Sequence, residues 1–247
     1  MSHKNSLSEK SPINQFLFNL GFFLYFSKPV LKHVEEFIKG STQKGYKGTI
    51  TDIVLLSLSN CHRTIFCKFL SEGVWNINLA WKGIRKFVVR KIYELSPSEL
   101  PIFSIYDDTI SEKTKPSSKA KSPIQGTAFH QSHLKGKQVW GHQLLTTMIS
   151  CGNKILPYSI ERYKKGEKSK IQMVCEIVKS LPSPKGVAYG LCDSWFTNKK
   201  IINAHFEKGY HLIGALKTSR IIYPNGIGIQ VKQFAQYIEK NDVALLQ

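Results

Sequence analysis

The 247-residue sequence predicts an α/β protein: a mixed sheet with flanking helices, preceded by an all-α N-terminal domain. Two patterns support this fold class. Apolar residues keep helical three-four spacing up to about residue 95, whereas after Pro101 runs with the two-residue period of strands alternate with helical segments. The stretch ELSPSELP at 94–101 contains two prolines and is expected to be a linker. We therefore assign residues 1–95 and 101–247 to two domains.

The first domain is predicted to contain four or five short helices. Apolar spacing is helical over 30–38 and 65–70, and TITD at 49–52 places Thr49 three residues before Asp52, a pattern typical of a capping box. Lysines and arginines are spread over these helices. They favour contacts with DNA, but a solvated helix surface carries the same charges, so both interpretations stay open.

The second domain has a regular order of elements. IFSIYDD at 102–108 predicts the first strand, and two more strands are predicted around a CGN turn. The remaining predicted elements follow in the order helix, strand, helix, strand: SKIQMVCEIVKSL at 169–181, GVAYGLCD at 186–193, NKKIINAHFEKG at 198–209 and YHLIGALK at 210–217. Short connections allow antiparallel pairing of the first three strands, whereas helical crossovers require parallel pairing. This order is the topology of a ribonuclease-H-like core.

Three segments of this domain carry specific expectations. The helix over 169–181 is expected to bury one face made of Ile171, Val174, Cys175 and Val178. The helix over 198–209 is expected to begin after Asn198 as its N-cap and to end at Gly209. The basic stretch at 112–123 is rich in proline and serine and predicts a loop.

Charge is the main compositional signal. The sequence contains 35 lysines and arginines against 17 aspartates and glutamates, which gives a net charge of +18. Such an excess predicts a polyanionic partner, most simply nucleic acid, because each neutralised phosphate releases counterions. A ribosome-associated or anionic-membrane protein is the alternative. The most apolar window, at 13–26, contains polar residues and is shorter than the roughly 20 residues of a spanning helix, so a membrane protein is not expected.

The cysteines argue for a reducing compartment. Five cysteines are scattered along the chain, which fits free thiols in the cytosol and predicts a cytoplasmic protein. The first dozen residues are polar and no small-residue cleavage site follows the first apolar run, so no cleavable signal is predicted. Cys61, His62 and Cys67 form one cluster of ligand-type residues, and His130 and His133 form another. Neither cluster contains a CxxC pair or has a matching second half, which argues against a zinc finger.

Acidic residues at two strand ends suggest metal chemistry. Asp107 and Asp108 end the first predicted strand, and Asp193 ends the fourth. If those strands are parallel neighbours, the carboxylates emerge together and offer the hard oxygen ligands that Mg²⁺ or Mn²⁺ prefers. Ions held there can activate a water or a 3′-hydroxyl for attack on a phosphodiester. The alternative is that the first two aspartates cap a turn and that Asp193 caps a helix beginning near Ser194; the spacing leaves both open.

Four segments carry a family resemblance: IYDDT, GHQLL, LPYSIERY and GLCDSWFTNKKIINAHFEKGYHLIGALKTSR. Together they resemble the DDE-type transposases of bacterial insertion sequences, in the IS-four-like group, over roughly residues 50–240. The resemblance implies that Asp107, the first residue of a D-x-T pattern, and Asp193 are catalytic and hold Mg²⁺ or Mn²⁺. It also implies nicking and strand transfer on double-stranded DNA at element ends. Lys217 and Arg220 match a basic cluster near DNA, with ordinary surface charge as the alternative.

The third carboxylate of the family, a glutamate in a Tyr-x2-Arg-x3-Glu-like context, has no match. After Asp193 the acids are Glu207, Glu239 and Asp242. Glu207 is expected to face away from the metals, and Glu239 follows Tyr237 at the wrong spacing. We therefore interpret the chain as a transposase cut short, with little or no activity by itself. The alternatives are a non-catalytic DNA-binding protein, such as a repressor of its parent element, and a ribonuclease-H-like nuclease of another purpose.

Two geometric predictions follow for the acids. The Asp107 and Asp193 carboxylates should lie within about 4–7 Å of each other, so that one metal or a metal pair can bridge them. Asp108 should point away from Asp193, because adjacent strand residues face opposite sides of a sheet. The expected partners are double-stranded DNA and, if the protein associates with itself, a second copy in a homodimer; no membrane is expected.

Overall fold

The computed structural model describes residues 11–95, 100–118 and 124–238, and the chain divides into two compact units, Met1–Arg90 and Lys91–Gln247. The helices are α1 (Pro12–Asn19), α2 (Lys28–Ser41), α3 (Ile50–Leu56), α4 (Arg63–Glu72), α5 (Ile77–Leu95), α6 (Lys170–Ser180), α7 (Lys199–Glu207) and α8 (Val231–Phe234). The strands are β1 (Ile102–Glu112), β2 (Ala128–Ser132), β3 (Lys137–Cys151), β4 (Lys154–Tyr163), β5 (Ala188–Cys192), β6 (His211–Gly214), β7 (Ile221–Ile222) and β8 (Ile229–Gln230). The predicted α/β class with a mixed sheet is confirmed.

The secondary structure described for the first unit is helical. Its core contains buried apolar side chains from α1 and its C-cap, from the 3₁₀ helix Phe22–Leu24, and from α2 and α5: Leu17, Leu20, Phe22, Leu31 and Ala80. The predicted capping box opens α3, where the Thr49 hydroxyl accepts the Asp52 N–H at 3.1 Å and the Asp52 carboxylate accepts the Thr49 N–H at 3.1 Å. Among the helices described, none combines the length and apolar character that crossing a membrane would require.

A glycine sets the distance between α2 and α3. Gly40 is buried, and a β-carbon at this position would lie 2.8 Å from the Cα atom of Ile53. The absence of a side chain therefore allows the two helices to approach closely. This close approach also brings the loop after α3 towards α2.

The sheet of the second unit has the strand order β2-β3-β1-β5-β6, with β4 also paired to β3. β1 pairs antiparallel with β3 and parallel with β5, and β5 pairs parallel with β6. The parallel pairs are reached through α6 and α7, as the sequence pattern predicts for helical crossovers. β2 was not expected; it lies at the edge of the sheet and pairs with the first half of β3.

One face of the sheet packs against α6 and α7. Tyr106 on β1 is buried, and its hydroxyl lies 3.2 Å from Nε2 of His205 on α7. Helix α6 buries Met173, Val174, Ile177 and Val178. The face predicted for α6 is therefore partly wrong: Val174 and Val178 are buried, but Met173 and Ile177 replace the other two residues. The buried face of α6 therefore includes Met173 and Ile177, whereas Ile171 and Cys175 at its border are only half-buried.

Helix α7 begins and ends where the sequence indicates. The Asn198 side chain accepts the N–H groups of Lys200 and Ile201, and Gly209 follows the helix with a positive φ of 82°. This left-handed conformation is the one that glycine adopts readily at a helix end.

Gly190→Ala is expected to lower the free energy of unfolding by about 1–3 kcal/mol, as for overpacked cores. A β-carbon on Gly190 would lie 2.3 Å from His205 Nε2. His205 is fully buried and its Nδ1 lies 2.8 Å from the Ile201 carbonyl oxygen, so the ring has little freedom to move away. Urea denaturation followed by circular dichroism measures the change.

Gly228→Ala is the matched control for this substitution. Its β-carbon would meet the ring of Tyr223 at 3.1 Å, and Tyr223 is 68% exposed, so the ring can yield. We expect a change within about 0.5 kcal/mol, as for most surface substitutions. Equal stability of the Gly190→Ala variant and the wild type would contradict the packing described for His205.

Candidate functional site

Two aspartates lie at adjacent positions where parallel strands approach the same edge of the sheet. Tyr106 on β1 is in register with Cys192, the last residue of β5, so Asp107 on β1 and Asp193 in the turn after β5 each follow this last paired position. Paired strands lie roughly 4.7–4.9 Å apart. Both aspartates are exposed to solvent. The prediction that the first strand ends at Asp107 and Asp108 is wrong, because β1 continues to Glu112 through its pairing with β3. Only Asp193 therefore follows the carboxyl end of a strand, which is where open α/β sheets bind ligands.

Asp193 also shapes the turn that follows β5. Its Oδ1 accepts the N–H of Trp195 at 3.0 Å and the N–H of Phe196 at 3.2 Å. Asp107 uses its Oδ1 to accept the N–H of Asp108 at 2.9 Å. The helix expected to begin near Ser194 is not present, because α7 begins at Lys199 with Asn198 as its N-cap, and Asp193 caps a turn instead. This capping does not compete with metal binding, because the hydrogen bonds described for the two aspartates use Oδ1 and leave Oδ2 to meet a cation.

The carboxylates of Asp107 and Asp193 are ligands of the type that a hard divalent cation takes. Mg²⁺ usually keeps several waters and is held by one or two carboxylates together with substrate phosphates. Asp107 and Asp193 supply carboxylates of that kind. Within residues 11–95, 100–118 and 124–238, no third carboxylate joins them closely enough to share one ion. Glu207 ends α7, and Glu239 and Asp242 lie outside the described residues.

Asp108 is engaged in an ion pair. Its Oδ2 accepts a hydrogen bond from Lys170 Nζ at 2.7 Å and another from the Gln143 side-chain amide. The side chains of Asp108 and Lys170 are only 19% and 13% exposed. The Lys170 ammonium also lies 4.0 Å from the ring centroid of Trp195, a cation–π distance. These contacts neutralise Asp108 and fix the lysine at the start of α6 against the turn after β5.

The prediction that Asp108 points away from Asp193 is wrong. Both residues line one cleft, whereas Asp107 is not among the residues that line it. The physical reason is that β5 ends at Cys192. Asp193 belongs to the turn, so strand alternation no longer decides the side of the sheet it faces. The catalytic roles of Asp107 and Asp193 and their carboxylate separation stay predictions.

The cleft has a volume of about 790 Å³ and combines positive charge with aromatic rings. Four lysines line it: Lys135, Lys165, Lys170 and Lys217. Lys135 pairs with Glu112 and Lys170 with Asp108. Among the described residues, Lys165 and Lys217 form no ion pair, so their charges are available to an anion. Phe129, Tyr163 and Trp195 add aromatic surface. Lysines beside aromatic rings suit a nucleic acid strand, which offers both phosphates and base faces.

The two basic residues predicted near DNA, Lys217 and Arg220, differ in their position relative to the cleft. Lys217 lies in the loop after β6 and lines the cleft, whereas Arg220 is not among the lining residues. The loop is held in place because the Arg220 N–H donates to the Lys217 carbonyl at 3.0 Å and the Val231 N–H donates to the Arg220 carbonyl at 2.8 Å. Lys217 is therefore the better placed of the two to meet a ligand in the cleft, and DNA contact by either residue stays a prediction.

His130, on the β2 wall of the cleft, is an uncharged group. Burial lowers the pKa of His130, and the neighbouring charge of Lys165 lowers it further. The ring is therefore neutral near pH 7 and adds no positive charge to the lysines. Its ring lies 6.1 Å from that of Tyr163, centroid to centroid.

Sequence reasoning missed Lys170, Gln143 and Trp195 as members of the site. One local signal was available for Lys170: the capping box between Ser169 and Gln172 fixes the start of α6, which places Lys170 at its first position. Its pairing with an acid 62 residues earlier leaves no local trace in the sequence.

Solved structures match the chain, whereas no family model and no curated protein does. The chain is similar to the piggyBac transposase in a cryo-EM synaptic complex with hairpin DNA, at 14% identity and a TM-score of 0.41, over 82% of this chain and 47% of that one. It is also similar to the Drosophila P element transposase in a strand transfer complex, at 9% identity and a TM-score of 0.24, over 93% and 57% of the two chains. The chain thus spans about half the length of the transposases it matches.

Proposed function

We propose that this chain is a DNA transposase of the DDE type with a ribonuclease-H-like core, acting by metal-dependent nicking and strand transfer at the ends of an insertion sequence. The observation that supports the proposal is the parallel pairing of β1, which carries Asp107, with β5, which Asp193 follows directly, in a chain of net charge +18. Carboxylates hold the cations of phosphodiester chemistry, and excess lysine holds the polyanionic substrate.

The proposed roles of the lysines follow from their positions, and those of the two aspartates follow from the resemblance to DDE-type transposases. Asp107 and Asp193 would hold Mg²⁺ or Mn²⁺, which when bound supplies an activated water or 3′-hydroxyl and stabilises the leaving oxygen. Lys165 and Lys217, both lining the cleft, would bind backbone phosphates. Lys170, locked to Asp108 and Trp195, would keep the turn that carries Asp193 in position.

Binding of DNA without catalysis is the second candidate function. Two observations favour it. Among the described residues no third carboxylate completes the site, and the charge of Asp108 is already paired with that of Lys170. Mg²⁺ demands near-octahedral oxygen coordination, and waters in place of a carboxylate hold the ion less rigidly. Because positioning supplies much of the rate, we expect slow chemistry even if the first candidate is correct.

Nicking of supercoiled plasmid in Mn²⁺ separates the two candidates. We expect slow Mn²⁺-dependent nicking that Asp107→Asn or Asp193→Ala reduces to the level measured with a chelator. Glu112→Gln is the matched control, because Glu112 lines the cleft but pairs with Lys135, and this variant should nick like the wild type. Metal-dependent nicking that survives Asp193→Ala would contradict the first candidate, and DNA binding with no nicking would favour the second.

A further inference from the structure

A separate group of ligand-type side chains lies within the first unit. His33 and Glu36 are one helical turn apart on α2, and Cys61 lies in the loop between α3 and α4. One ligand atom from each of the three residues lies within 4.8 Å of the other two. His33 Nδ1 and Glu36 Oε2 are 3.5 Å apart. The three side chains converge on one point although they come from two segments of the chain.

Two of the candidate ligand atoms, one on His33 and one on Glu36, are buried and lack hydrogen bonds. Within the described part of the chain, His33 Nδ1 and Glu36 Oε2 have no hydrogen-bond partner and are shielded from solvent. Their side chains are 17% and 14% exposed. A carboxylate oxygen offers only lone pairs, and a neutral imidazole nitrogen without its proton does the same. A cation between them would satisfy both atoms, whereas without one they can pair only with each other, as an ion pair at 3.5 Å when the His33 ring is protonated.

A second layer of contacts holds the ligands in place. Glu36 Oε1 accepts a hydrogen bond from Ser59 Oγ at 3.0 Å, and the same Oγ accepts the Cys61 N–H at 3.0 Å. The His33 ring packs against Phe66 and Phe69, at centroid distances of 5.4 and 5.0 Å. Such supporting bonds and packing orient the primary ligands of metal sites.

The backbone of the loop directs Cys61 towards α2. Helix α3 ends in a turn in which Leu58 has a positive φ of 55° and the Ser59 N–H donates to the Val54 carbonyl at 3.3 Å. This is the arrangement of a Schellman motif, which normally uses glycine at the left-handed position. Leu58 adopts this strained backbone conformation although its side chain is 81% exposed, so burial of the side chain does not offset the strain. The turn brings Ser59 and Cys61 back against α2.

We propose that His33, Glu36 and Cys61 form a zinc site that fastens the α3–α4 loop to α2. Thiolate, imidazole and carboxylate are the three ligand types that Zn²⁺ takes in proteins, whereas Mg²⁺ and Ca²⁺ select oxygen ligands. Three protein ligands leave the fourth tetrahedral position to a water. His62 and Cys67, which lie near Cys61 in the sequence, are not among the proposed ligands: His62 Nδ1 lies 3.0 Å from the Thr64 hydroxyl, and Cys67 is exposed.

The test is metal binding by the full chain, reduced and stripped of metal. We expect one equivalent of Zn²⁺ in competition with a chromophoric chelator, and we expect Co²⁺ to give a thiolate-to-metal charge-transfer band. Cys61→Ser should remove both signals, while Cys67→Ser, the matched cysteine control, should keep both. Ser59→Ala should weaken zinc binding by about 10- to 100-fold, as for other second-layer partners.

Two results would overturn the proposal. One is a wild-type chain that binds no zinc under these conditions. The other is a Cys61→Ser chain that binds zinc as tightly as the wild type, which would place the ion elsewhere, for instance on the carboxylates of the cleft. Circular dichroism confirms that each variant is folded, and His33→Gln provides a second removal of one ligand if Cys61→Ser does not fold. None of these readouts depends on nicking.

Discussion

The affinity of the full chain for double-stranded DNA is expected to fall by about 10³- to 10⁵-fold between 50 and 200 mM salt, if roughly six to ten phosphates are neutralised. The physical reason is the excess of 35 basic over 17 acidic residues. Each lysine or arginine that binds a phosphate releases condensed counterions, and this gain vanishes as the salt concentration rises. A fluorescence anisotropy titration at several salt concentrations gives the slope of log affinity against log salt, about −0.9 per phosphate contacted.

The same measurement tests whether the cleft contacts the DNA. Lys217→Gln removes a lysine that lines the cleft and, among the described residues, forms no ion pair. If Lys217 contacts a phosphate, this change should reduce the magnitude of the salt slope by about one. Lys154→Gln is the matched control, because it changes the net charge equally but lies at the turn between β3 and β4, beside the start of β1.

Sequence preference should be weak in this assay, because lysines on phosphates read no base edges. Two unrelated duplexes of equal length should therefore give nearly equal affinities and slopes. An affinity that does not change between 50 and 200 mM salt, or no binding at low salt, would contradict the charge argument. Equal slopes for Lys217→Gln and the wild type would place the DNA outside the cleft.

Local chemistry in the sequence was sufficient for most elements of the fold. The capping box at Thr49, the N-cap at Asn198 and the left-handed Gly209 are set by residues within a few positions of one another. Apolar periodicity did not define the buried face of α6. Val174 and Val178 belong both to the predicted face with Ile171 and Cys175 and to the observed face with Met173 and Ile177, and packing against the sheet selects the second. The edge strand β2 was missed because AFHQS is short and half polar, and only its pairing with β3 makes it a strand.

The candidate site was predictable only where the strand order defined it. The parallel pairing of β1 and β5 could be predicted from the order of elements, and with it the position of Asp193 directly after β5, whereas the continuation of β1 beyond Asp107 depends on its pairing with β3. The partner of Asp108 could not be found, because Lys170 comes from a helix 62 positions further along the chain. Cys61 was considered with His62, its neighbour in sequence, although the packing of α2 and α3 brings it to His33 instead.

The ion pair in the cleft gives the last prediction: Lys170→Met should lower the free energy of unfolding by about 3 kcal/mol. This is near the lower end of the cost of breaking a buried pair, because Asp108 and Lys170 are not completely buried. The substitution keeps an apolar chain of similar length beside Trp195 but leaves the Asp108 carboxylate without its cation. Urea denaturation of the full chain, followed by tryptophan fluorescence and circular dichroism, measures the loss.

A double-mutant cycle separates the pair from its surroundings. Asp108→Asn combined with Lys170→Met should cost less than the sum of the two single changes, since the double variant buries no uncompensated charge.

Asp107→Asn is the matched control, because it makes the same chemical change one residue earlier, at an exposed carboxylate whose described hydrogen bond is to the adjacent N–H. Its effect on stability should stay within about 0.5 kcal/mol. If Asp107→Asn destabilised the chain as much as Asp108→Asn, the roles of the two aspartates would be exchanged: Asp107 would be the structural carboxylate and Asp108 the better candidate for the metal.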